Sequence, residues 1–106
     1  MMEKQYAKQR MIKDITVEDS RIQVTAYVKE ILGDNFIILD DKTGEIKVNL
    51  KDEDFAFNKD DLINIIGFLN INFDGEKEIE AEIIQDMTNL NFDYYQKIYE
   101  IKKTLI

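Results

Sequence analysis

The sequence predicts a mainly β chain: five strands closing into a small barrel, a short helix between the third and fourth strands, and an α-helix after the fifth. Three observations predict it. Apolar residues recur with a period of two in successive stretches between residues 22 and 83, turn dipeptides join those stretches, and residues 92–106 switch to helical spacing. Closure removes the unpaired strand edges that an open sheet would leave. An open five-stranded sheet covered by the last helix is the alternative architecture.

Each element has its own signal. Ile22, Val24, Ala26 and Val28 alternate with Gln23, Thr25, Tyr27 and Lys29, as in a strand with one buried face. Gly33-Asp34 breaks that run, and the short apolar stretch Phe36-Ile37-Ile38-Leu39 makes the second strand. Asp41-Lys42-Thr43-Gly44 reads as a turn with Gly44 in the left-handed position, after which Ile46, Val48 and Leu50 alternate with Lys47, Asn49 and Lys51. Between 51 and 61, the candidate cap Asp52 and the Phe55/Phe57 pair suggest a helical turn that plugs apolar surface. Ile63, Ile65, Gly67, Leu69, Ile71 and Phe73 share one parity in the fourth strand, with Gly67 suited to a sharp coil. Asp74-Gly75 is the strongest hairpin dipeptide in the chain. It leads into a fifth strand with Ile79, Ala81 and Ile83 on one side and Glu78, Glu80 and Glu82 on the other. Thr88 or Asn91 caps the final helix.

At 106 residues the chain is expected to be one domain, with the barrel over about 12–86 and the helix over about 92–105. An apolar fraction of 44% is enough to bury a core. Cys and His are both absent, so disulfides, thiol nucleophiles, zinc clusters and histidine bases are excluded. The acidic pairs Asp40/Asp41 and Asp60/Asp61 and the run 52–54 fit no metal-loop spacing, and turn chemistry explains them. No enzyme, cofactor or metal is expected. The polar start and the lack of any long apolar run predict no membrane association. The expected location is cytoplasmic and nucleoid-associated, or nuclear in a eukaryote. Net charge is −8, with nine acids against four bases over 34–61 and four bases against one acid over 1–13. That map opposes strong phosphate binding by the isolated chain.

Lys13-Asp14-Ile15, the 22–28 strand and the D-D-x-T-G-x-I-x-V stretch at 40–48 resemble oligonucleotide/oligosaccharide-binding (OB) folds. That hairpin is similar to those of replication protein A subunits and of anticodon-binding domains. Ile65-Ile66-Gly67-Phe68-Leu69, then Glu82-Ile83-Ile84-Gln85-Asp86 followed at once by the last helix, resemble the small subunits of replication protein A and the Stn1/Ten1-like telomere proteins. The resemblance covers about residues 12–105. It implies a five-stranded OB barrel, and a non-catalytic subunit of a single-stranded DNA-binding complex whose last helix packs with larger OB-fold subunits; the acidic charge map in turn predicts only weak DNA binding by the chain alone.

Two sets of candidate site residues follow. On the helical wheel Tyr94, Ile98, Ile101 and Leu105 form one apolar stripe, and Phe92, Tyr95, Tyr99 and Ile106 a second, about 120° away. One stripe suffices for packing on the barrel. The expected partner interface is therefore Phe92, Tyr94, Tyr95, Ile98, Tyr99, Ile101 and Leu105, with Lys102 lying between the stripes. For nucleic acid, the resemblance implies the outer face of the second and third strands. Tyr27, Phe36 and Phe73 are the candidates for base stacking, and Lys29, Lys47 and Lys51 for phosphate. Asn49 stands where the middle subunit of replication protein A carries a stacking ring. A free-standing RNA-binding domain of the anticodon-binding type is the alternative function, since it shares the hairpin.

Overall fold

Six strands and one helix make up the described residues, 6–51 and 55–105, of the computed structural model. They are β1 (Lys8–Gln9), β2 (Arg21–Leu32), β3 (Phe36–Asp40), β4 (Glu45–Asn49), β5 (Leu62–Ile71), β6 (Lys77–Asp86) and α1 (Phe92–Thr104), with a 3-10 helix at Ile12–Asp14. The five expected strands are β2 to β6. Antiparallel ladders join β2 to β3, β3 to β4 and β6 to β5, and β4 pairs parallel with β6. The β2–β5 ladder from Arg21↔Phe68 to Tyr27↔Leu62 closes the barrel. The two-residue β1 lies parallel to Ile22 and Gln23, on a stretch of β2 that β3 does not reach. No helix among the described residues is long and apolar enough to cross a membrane.

Alternation sets the core. Ile22, Val24, Ala26, Val28, Ile37, Leu39, Val48, Ile63, Ile65 and Ile79 are fully buried. Their inward parity follows from the pleat, and their mutual burial is the main driving force for closure.

Four expectations change at the level of single residues. The left-handed position in the β3–β4 turn belongs to Lys42 (φ 71°), not Gly44, because Asp40 and Asp41 each accept from a backbone N–H two residues on and fold the turn earlier. Gly44 instead leaves room for Ile12, whose Cγ2 lies 3.1 Å from where a Cβ would stand. Ile83 is exposed and Ile84 packs on the core, since a register shift after Ile66 flips the parity. Between β4 and β5, Asp52 and the acidic run 52–54 lie outside the described residues. Among the described residues of that segment none is helical, although Phe55 and Phe57 pack on the core and on each other. Finally, Ile71 at the end of β5 and Phe73 beyond it are exposed, although they share the parity of the strand's inward residues.

Candidate partner and nucleic-acid surfaces

Helix α1 starts where Asn91 accepts from the Tyr94 N–H at 3.1 Å, an N-cap bond that satisfies one of the helix's free donors. Its inner face is anchored by side chains from across the chain. The Phe92 ring meets Tyr27 edge-on at 5.1 Å, Tyr95 accepts from the Gln9 amide at 2.7 Å, and Gln96 donates to the Asp41 carbonyl at 2.7 Å. Tyr99 donates to Asp14, which also receives Lys103. Lys42 adds its ammonium 5.7 Å from the centre of the Tyr27 ring and 5.9 Å from that of Phe92.

These contacts correct the partner assignment. Phe92 and Tyr99 are buried against the chain's own barrel and Tyr95 is half-buried there, so the Phe92/Tyr95/Tyr99 stripe is used intramolecularly. Tyr27 lies under α1, its ring covered by Phe92 and Lys42, which leaves no open face for base stacking. Tyr94 (64% exposed), Ile101 (54%) and Leu105 (79%) face solvent, with Ile98 half-buried beside them. Lys102 is exposed. Ile106 lies outside the described residues.

On the opposite wall, strand pairing aligns an outward row across the sheet: Leu32, Phe36, Asn49, Glu80, Phe68 and Arg21. Phe36 and Phe68 are thus three strand spacings apart, about 14 Å along the sheet. Phe68 and Ile83 are exposed on this side; alternation did not single out Phe68, because an outward apolar residue gives no periodic signal, and it placed Ile83 on the inner face. An open groove of about 490 Å³ runs between β4 and the β5–β6 turn, with Ile38, Glu45, Lys47, Gly75, Glu76 and Lys77 among its lining residues. Phe73 stands fully exposed on the turn beside it.

The three candidate phosphate-binding lysines are already engaged. Lys29 pairs with Glu45, Lys51 with Glu80 at 2.6 Å, and Lys47 lies 4.3 Å from the centre of the Phe36 ring. A base stacking on that face of Phe36 would have to displace Lys47. Asn49 accepts from the Lys51 N–H and shapes the strand end. The structure therefore brings Phe36, Lys47, Asn49 and Lys51 onto one surface, with Phe73 at its edge.

Asp41 is fully buried and has a structural task. Its carboxylate accepts from the Ile12 N–H at 2.7 Å and the Thr43 N–H at 2.9 Å, tying the 3-10 helix to the β3–β4 hairpin. A second polar chain runs from the buried Thr25 through the buried Asn64 to the exposed Gln85 at 3.0 and 2.8 Å. No group of three or more metal-ligating side chains occurs among the described residues.

No protein-family model matches the chain, and no curated protein does. Solved structures do. The telomere capping protein Ten1 from Saccharomyces pombe superposes with a TM-score of 0.75 at 17% identity, over 93% of this chain and 99% of that one. A chain of the S. pombe Stn1–Ten1 complex gives 0.75 at 17%, over 96% of each. A chain of a replication protein A heterotrimer bound to single-stranded DNA gives 0.65 at 16%, over 81% of this chain and 72% of that one. With the barrel closure described above, these likenesses show that the chain has the OB fold, a five-stranded barrel followed by one C-terminal helix.

Proposed function

We propose that the chain is a non-catalytic subunit of a single-stranded DNA-binding complex of the replication protein A kind. It joins larger OB-fold subunits through α1 and adds little DNA affinity of its own. One observation carries this reading: α1 keeps Tyr94, Ile101 and Leu105 exposed after its other face has been used on the barrel. An amphipathic surface helix needs one apolar stripe, and a second is the mark of a helix that is also an interface. Chains of like fold occur in assemblies, the Stn1–Ten1 complex and the replication protein A heterotrimer. The engaged lysines of the β3–β4 wall support a minor role in DNA contact.

The test is capture of the tagged chain from its native source, beside an Ile101→Glu/Leu105→Glu variant. Both positions are exposed, so the variant should fold. The native chain should retain a larger subunit with its own OB domain, and the variant should lose it. Retention by a folded variant would show that assembly uses another surface.

A further inference from the structure

Resting on that reading of α1, we infer that the helix docks on a helix of another polypeptide whose apolar seam is flanked by carboxylates. Lys97 and Lys102 make this selection and turn away a second copy of the chain. At 100° per residue the stripe Tyr94, Ile98, Ile101 and Leu105 has a centre line, and Lys97 and Lys102 lie about 70° to either side of it. Both are exposed, and neither forms an ion pair among the described residues. The helix's two acids lie beyond Lys97 on the same side and line one groove with it and Ile101, but each already has a cation: Asp93 lies 3.8 Å from Lys42, and Glu100 pairs with Lys13 at 2.8 Å and Lys103 at 3.8 Å. The exposed seam is therefore apolar with a basic edge on each side, on a chain whose net charge is −8.

The charges decide between occupants. If two copies met stripe to stripe in parallel, Lys97 of each would face Lys102 of the other. In the antiparallel arrangement each lysine would face its own counterpart. Lysine meets lysine in both orientations, and the net charge adds further repulsion. A helix with Asp or Glu at the flanking positions turns both repulsions into attractions, while the lysine stems still cover the apolar seam.

The charge-reversed variant Lys97→Glu/Lys102→Glu is itself an acid-flanked probe of the same shape. Sedimentation equilibrium at low salt compares the native chain, the variant and their equimolar mixture. The mixture should form a one-to-one complex with a dissociation constant roughly tenfold below that of either self-association. Added salt should erase the difference, and Leu105→Glu in the native member should abolish the complex. A mixture that sediments as the sum of its components overturns the inference. So does equal association in all three samples that Leu105→Glu abolishes, and that result leaves α1 as the assembly helix. Association that survives Leu105→Glu would sink both readings.

Discussion

Tyr99 donates its phenolic O–H to Asp14 Oδ2 at 2.8 Å across 85 positions of sequence, and Lys103 reaches the same carboxylate at 3.0 Å. These bonds pin the last turns of α1 to the 3-10 helix ahead of the barrel. They also decide which of the two apolar stripes turns inward.

The Asp14 anchor should make stability depend on pH. Burial pushes the carboxyl up, but the Tyr99 hydroxyl and Lys103 ammonium outweigh it and hold it below the usual range. Asp19 behaves alike: burial raises it, and the Arg10 guanidinium and Thr16 N–H bring it below normal. A carboxyl depressed in the fold contributes stability that is present above its unfolded value, near pH 4, and is lost as pH falls through the folded value. Asp14→Asn should cost about 1 kcal/mol at neutral pH, and the gap to the native chain should close in acid. Urea unfolding followed by circular dichroism across pH checks this. A gap that stays constant into acid would show that the carboxylate charge contributes nothing.

Gly67 is required by space. A Cβ there would stand 2.1 Å from the Glu80 carbonyl oxygen, a backbone atom that cannot swing aside. Gly67→Ala should therefore cost about 3 kcal/mol or more by forcing the β5–β6 bulge apart. Gly33, whose φ is 66° with open space around it, should cost only about 1 kcal/mol on the same change. Equal urea midpoints for the two variants would contradict the close approach.

Much of this fold is written in local pattern. Inward parity in β2 and β4 can be read directly, and Gly67 announces a coiled strand. The bulge beside Gly67 cannot be placed from sequence, so Ile83 reads as core while Ile84 takes the inner side. The two stripes of α1 are equally apolar on the wheel. Only remote partners, Tyr27, Gln9 and Asp14, assign the inner one. The same remoteness hid the task of Asp41, whose bond to the Ile12 N–H spans 29 positions.

Asp41→Ala should separate the hairpin from the 3-10 helix. It would leave the half-buried Ile12 and Thr43 N–H groups without their carboxylate acceptor. The expected cost is about 2 to 3 kcal/mol, read as a lower urea midpoint. Hydrogen exchange should locate the new opening at residues 11–15 and 41–44. Native protection there would show that water replaces the carboxylate at little cost.

Phe73 separates stability from binding. Its ring is fully exposed, so Phe73→Ala should change stability by no more than about 0.5 kcal/mol. In the assembled complex, loss of one stacking platform should weaken single-stranded DNA binding by up to about 1 to 3 kcal/mol. Fluorescence anisotropy with an oligothymidine probe and the reconstituted complex measures it. Unchanged affinity would remove Phe73 from the DNA path.

The isolated chain should bind the same probe weakly, within the roughly 10⁻⁴ to 10⁻⁶ M range of non-specific contacts. The cause lies in its pairing: Glu45 holds Lys29 and Glu80 holds Lys51, so a phosphate must compete with a carboxylate for each lysine. Glu45→Gln/Glu80→Gln releases both lysines without changing side-chain size. Because exposed ion pairs are individually weak, the gain should be a modest several-fold rise in affinity at low salt. The more telling quantity is the slope of log affinity against log salt, which should steepen by about one for each lysine that now meets a phosphate. Higher affinity with an unchanged slope would mean that the substitutions relieved general repulsion only. A steeper slope would place Lys29 and Lys51 on the path of the strand.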